Sequence, residues 1–86
     1  MWQEGSFVID DIRFIYSAKV FELGSEFGIH NGRISKLAIW KVNPNGATPY
    51  DNLIINYDRG WDLKPRPCDI LHNRALEYVL GLYPVT

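Results

Sequence analysis

The segment Asn56-Tyr57-Asp58-Arg59-Gly60-Trp61-Asp62 holds two carboxylates, a guanidinium, a glycine and two aromatic rings within seven residues. That mixture can do chemistry. Arg59 can clasp a phosphate or carboxylate with its planar fork. Tyr57 and Trp61 can stack on a base or another ring. Gly60 allows a ligand to approach the backbone closely. The same residues also have a structural reading. Asp58 and Asp62 can accept backbone N–H groups and hold a turn, Arg59 can pair with either, and Trp61 can plug the end of a core. The types and spacing leave both readings open.

A second cluster lies upstream. Gly28, His30, Asn31, Gly32 and Arg33 form a glycine-rich loop, with Lys36 soon after. Such loops can present N–H groups to an anion, and here His30 would donate a proton while Arg33 clamps the charge. No helix is predicted after it, so it is neither a P-loop nor a dinucleotide fingerprint. The plainer reading is a polar connection facing water. The candidate ligand-binding set is therefore His30, Arg33, Lys36, Tyr57, Asp58, Arg59, Trp61 and Asp62.

Little else in the chain suggests catalysis. His30 and His72 are the only histidines, and Cys68 is the only cysteine. Their spacing suggests no metal site, and a lone thiol forms no internal disulfide. Ser17, Ser25 and Ser35 form no recognisable triad with the histidines. No cofactor, metal or catalytic residue is predicted. A metal-dependent hydrolase built on Asp58, Asp62 and His30 is kept only as a third reading.

The elements that must position these residues follow from periodicity. Phe7–Ile9 is a short apolar run, and Asp10-Asp11 is a candidate tight turn, although Asp-Asp is poorer there than Asn-Gly. In 12–21, Phe14, Tyr16, Ala18 and Val20 fall on one face, with Arg13, Ile15, Ser17, Lys19 and Phe21 on the other. Residues 33–42 alternate Leu37 and Ile39 with Lys36, Ala38 and Trp40. Asn43-Pro44-Asn45-Gly46 signals a turn, and the loop continues to Asn52. Leu53–Asp58 is the next strand. Lys64-Pro65-Arg66-Pro67 then breaks the chain before a helix that Asp69 caps, with Leu71, Ala75, Tyr78, Val79 and Leu82 as its apolar stripe.

These elements predict a single α+β domain over residues 1–86, a four-stranded antiparallel meander with one C-terminal helix packed on one face. If the strand starting at Arg33 runs antiparallel to the one ending at Asp58, the two clusters meet. One helix covers one face only. Ile15, Phe21, Trp40 and Ile54 are left over, which favours a homo-oligomer or a partner-binding face.

Composition bounds the function. Of the 86 residues 47% are hydrophobic and 14% aromatic, enough for a core in a short chain. Nine Lys and Arg against ten Asp and Glu give a net charge of -1. That argues against a dedicated duplex-DNA binder. No apolar run approaches the ~20 residues of a membrane span. The opening Met1-Trp2-Gln3-Glu4-Gly5 lacks the basic and apolar regions of a signal peptide. A cytoplasmic protein is expected.

At Gly32-Arg33-Ile34-Ser35-Lys36-Leu37 and again at Asn56–Asp62 the chain resembles a small family of Gram-positive bacteria and their phages that has no assigned activity. Trp2–Phe7, Glu26–Ile29 and Ala75–Tyr78 are similar too, and the resemblance covers most of the chain. The long loop from Asn43 to Asn52 departs from it, since a shorter turn is expected there. The resemblance implies a context, not a mechanism: small phage proteins often bind host proteins or sequester signalling molecules. The leading expectation is a non-catalytic binding protein for host takeover or counter-defence, clasping a nucleotide-like anion with Arg33, Arg59, Trp61 and Tyr57. The alternative is a module that docks on a host protein through Trp40, Ile15 and Ile54.

Overall fold

A computed structural model describes residues 1–84. Five strands run in chain order: β1 (Trp2–Ile9), β2 (Ile12–Val20), β3 (Ile34–Lys41), β4 (Leu53–Asp58) and β5 (Trp61–Leu63). Each pairs antiparallel with its neighbour in sequence, so the sheet is a meander. One helix, α1 (Ile70–Leu82), follows. The expected α+β meander with a C-terminal helix is found, with five strands in place of four. The extra strand, β5, is three residues long and pairs Trp61 with Tyr57. A three-residue strand is too short for period-two alternation to register.

β1 also begins earlier than its apolar run. Trp2 already pairs with Lys19, five residues before Phe7. Gln3 and Gly5 occupy the core-side positions of this stretch, so alternation is not visible in the sequence. Gly5 has a packing reason: a Cβ there would lie 2.8 Å from Cε1 of Tyr16, its cross-strand partner.

Alternation divides β2 as its sequence demands. Phe14, Tyr16, Ala18 and Val20 are buried and join Phe7, Ile9, Leu37, Ile39, Ile55 and Tyr57 in one core. The helix closes this face with Ala75, Leu76 and Val79, supported by Leu71, Leu80 and Tyr83. The expected stripe is thus shifted. Tyr78 and Leu82 are 45% and 43% exposed. Tyr78 still stacks on Phe7, ring centroids 4.3 Å apart, at the rim. Asp69 caps the helix as expected, its Oδ1 accepting from the His72 N–H at 3.1 Å. Its other oxygen lies 2.9 Å from His72 Nδ1.

The helix is tied to the sheet at two distant points. The hydroxyls of Tyr16 and Tyr83 share a hydrogen bond of 2.9 Å. Burial, with help from that bond, pushes the Tyr16 pKa up to about 12. Arg74 donates to the Asp10 carboxylate at 2.7 Å, clasping the β1–β2 turn. Asp10 and Asp11 have φ of 52° and 65°, a left-handed pair matching the twist of a two-residue hairpin.

The opposite face of the sheet carries no helix. The loop between β3 and β4 reaches part of it. Asp51 accepts from the backbone and hydroxyl of Thr48, which holds its carboxyl below the usual range and braces the loop. The same loop sets Tyr50 edge-on to Trp40, with ring centroids 5.0 Å apart. Alternation along the sequence predicts Ile54 on this uncovered face. It is only 6% exposed, because the β3–β4 register shifts between Ile39 and Trp40 and makes Ile54 the extra residue of a bulge.

Candidate functional site

Antiparallel pairing puts cross-strand partners on the same face. On the open face this builds rows across four strands. One row reads Trp2, Lys19, Lys36, Asp58; the next reads Glu4, Ser17, Ala38, Asn56. The first row sets two lysines directly opposite each other. Like charges so placed destabilise a sheet. The only carboxylate in the row is Asp58, whose Oδ1 is 3.6 Å from Lys36 Nζ and 3.9 Å from Arg59 Nε. These groups are largely exposed, and contacts of this kind contribute about 0–1 kcal/mol.

Arg59 follows Asp58 in the turn to β5. Its N–H donates to the Ser35 carbonyl at 2.9 Å, which extends the β3–β4 pairing by one residue. Its φ is 55°, in the left-handed region, while the adjacent Gly60 has an ordinary φ. The turn therefore places its glycine where none is needed and an arginine where glycine or asparagine would fit better. Arg59 lines a groove of about 310 Å³ together with Lys19, Lys36, Phe21, Phe27 and Ser25. Lys19 Nζ also sits 5.6 Å from the centre of the Phe21 ring. Three cations and two phenyl rings thus share one open groove.

The two sequence clusters do meet, as Lys36 pairs with Asp58 and Leu37 with Tyr57. The side chains then diverge. Arg33 donates from Nε to the Phe21 carbonyl at 2.8 Å and from Nη1 to the Pro84 carbonyl at 3.2 Å. With His30 it lines a different, smaller groove, beside Leu80 and Tyr83 at the end of α1. His30 and Asn31 have φ of 54° and 58° in a single 3₁₀ turn, Ile29–Asn31.

Tyr57 and Trp61 point to the core side. Tyr57 is 7% exposed, donates its hydroxyl to the Phe27 carbonyl at 2.7 Å, and meets Trp61 edge-on at 5.0 Å. Trp61 packs against the core rim, and Lys64 Nζ lies 5.6 Å from its ring centre. Asp62 is exposed on β5. Of the eight expected residues, Lys36, Asp58 and Arg59 therefore lie at the open-face groove or its border.

Lys19, Phe21 and Phe27 lie outside the eight residues that the sequence points to. The signal for the first two was present in the polar face of β2, the one a single helix leaves uncovered. Phe27 sits in the irregular loop, where periodicity says nothing. No helix among the described residues is long and apolar enough to cross a membrane. No three His, Cys, Asp or Glu residues converge on a metal position among them.

Fold and groove together define a small α+β domain with a one-sided sheet and a basic, aromatic open face. The chain belongs to the family described as a domain of unknown function, DUF7678, whose model matches residues 1–84. No curated protein and no solved structure gives a significant match.

Proposed function

We propose that this chain is a non-catalytic binding protein of phage or prophage type, acting in the cytoplasm in host takeover or counter-defence. It holds a nucleotide-like anionic ligand in the groove between Lys19, Lys36 and Arg59. The observation that carries this reading is the concentration of three cations and two phenyl rings in one groove of about 310 Å³. That volume matches the lower end of small-molecule sites, roughly 300–1,000 Å³. The cations receive phosphate, and Phe21 or Phe27 receives the base. Arg59 adds weight, because a non-glycine residue held at positive φ, 55°, marks a position where a side chain is retained at a local cost.

Docking of a host protein through Trp40, Ile15 and Ile54 draws less support. Ile54 is buried, so the three residues do not form one exposed apolar patch.

Calorimetric titration with a panel of nucleotides and cyclic nucleotides tests the proposal. At least one should bind, and the double variant Lys19→Ala/Lys36→Ala should weaken it by about tenfold or more, as expected for lost charge-assisted hydrogen bonds. A panel without a binder, or a double variant that binds as well as the parent, would remove this function.

A further inference from the structure

The basic groove does not end at Lys36. Lys36 also lines a second depression, of about 350 Å³, with Trp2, Ser17, Ala38, Trp40 and Asn56. Ser17 and Trp40 in turn border a third, of about 280 Å³, that runs up to Tyr50. Each depression shares lining residues with the next, and together they span the open face from Phe21 to Tyr50. Aromatic rings stand at both ends: Phe21 and Phe27 with Trp2 at the Lys19 row, and Trp40 with Tyr50 at the Ile15 row. From the Lys19 row to the Ile15 row is four residues of strand, roughly 13 Å at the usual rise. A mononucleotide fills one depression and leaves the others empty.

Charge on this face differs from that of the whole chain. Along the three depressions Lys19, Lys36 and Arg59 stand against Glu4 and Asp58, a surplus of one positive charge where the chain carries a net -1. The surplus is too small to grip a duplex through its phosphates alone. It suits a flexible single strand, whose bases are free to stack on exposed rings while a few phosphates meet cations.

We infer that the open sheet face binds single-stranded nucleic acid as an extended strand, lying along the row of depressions from Lys19, Phe21 and Arg59 to Trp40 and Tyr50. This rests on the nucleotide-binding reading of the Lys19–Lys36–Arg59 groove and extends it from one nucleotide to several. The shared chemistry is phosphate plus stacking base, and the sugar is left to the test.

The test is fluorescence anisotropy with labelled mixed-sequence RNA and DNA single strands of about eight nucleotides, within the site sizes of single domains that bind such strands. A duplex of the same sequence and a labelled mononucleotide are run alongside. The single strand should bind at least about tenfold tighter than the mononucleotide, because further bases add stacking. Log affinity should fall with log salt with a slope of about 2, for three phosphates. Trp2→Ala and Trp40→Ala should each weaken the oligonucleotide by about fivefold or more and leave mononucleotide affinity unchanged. Trp2 is 56% exposed, so its variant keeps the test valid should Trp40→Ala disturb folding. Arg66→Ala, on the segment leading into α1, is the charge-matched control and should change nothing.

A preference for RNA or for DNA supports the inference and names the sugar. If mononucleotide and oligonucleotide bind equally, the inference fails and the proposed function stands. If the oligonucleotide binds and no mononucleotide does, the track stands and the mononucleotide reading falls. If neither binds, both fall. Self-association that buries Trp40, with no oligonucleotide uptake, overturns the inference in favour of a second copy on this face.

Discussion

Lys19 on β2 and Lys36 on β3 stand directly opposite each other on the face of the sheet that the helix leaves open. Opposite charges directly across a sheet contribute about 0.2–1 kcal/mol relative to an alanine pair, and like charges there are destabilising. Lys19→Glu converts the pair to an attractive one. It should raise stability by about 0.2–1 kcal/mol in denaturant titrations at low salt, while abolishing ligand binding in the groove. A loss of stability would mean that Lys19 is held by packing rather than in spite of its charge.

Arg59 separates structural from functional roles in a single substitution. Its φ of 55° suits glycine. Arg59→Gly should therefore be neutral to stabilising, by up to about 1 kcal/mol, and should lose affinity for the anion by about tenfold or more. Chemical denaturation and calorimetry on the same preparation give both numbers. A large destabilisation would make Arg59 a structural residue, since only its side chain is removed and its N–H to Ser35 is kept.

Stability at high pH reports on the Tyr16–Tyr83 contact. The Tyr16 pKa is raised to about 12 in the fold, from 10.0. Between these values the unfolded chain gives up the Tyr16 proton and the folded chain keeps it. The unfolded state then binds fewer protons, so stability falls as pH rises. The contribution is fully present below pH 10 and is lost progressively up to about pH 12. Comparing denaturation of the parent with Tyr16→Phe across that range isolates the effect, because other groups titrating there cancel in the difference. Parallel curves would refute it.

The hairpin turn at Asp10-Asp11 holds two aspartates at positive φ. Asp11 makes no hydrogen bond to α1, whereas Asp10 receives Arg74. Asp11→Gly should raise stability by about 0.5–1 kcal/mol, and Asp10→Ala should lower it by a similar amount through loss of the Arg74 bond. Thermal unfolding of the two variants, with opposite shifts expected, checks the assignment.

Much of the scaffold could be read from residue order, and the reasons are local. β2 alternates Phe14, Tyr16, Ala18 and Val20 with polar partners over nine residues, long enough for a period of two to register. Asp69 sits one residue before the helix and caps it through its own side chain, a short-range interaction. The meeting of the two motifs followed from antiparallel order alone. What stayed hidden depended on tertiary placement. A single-residue shift at Ile39/Trp40 turned Ile54 inward. Arg33 is satisfied by two carbonyls, one of them Pro84, and nothing in its neighbourhood announces a partner 51 residues away. Tyr57 and Trp61 looked like ligand platforms because they flank a charged turn, yet the pleat sends both toward the core. Lys19, Phe21 and Phe27 come together only once β2, β3 and the loop between them are folded.

The order of the elements has a consequence for how the chain is made. All five strands precede the helix, and each pairs with the one made just before it. During synthesis the sheet can therefore begin to assemble while its lid is still inside the ribosome. Until α1 emerges, Phe7, Phe14 and Ile39 face water, and a partly made chain presents an apolar sheet to its surroundings. The tethers at Arg74 and Tyr83 cannot form before α1 is made. The stretch of synthesis between β5 and α1 is therefore the one in which the core face has no cover of its own.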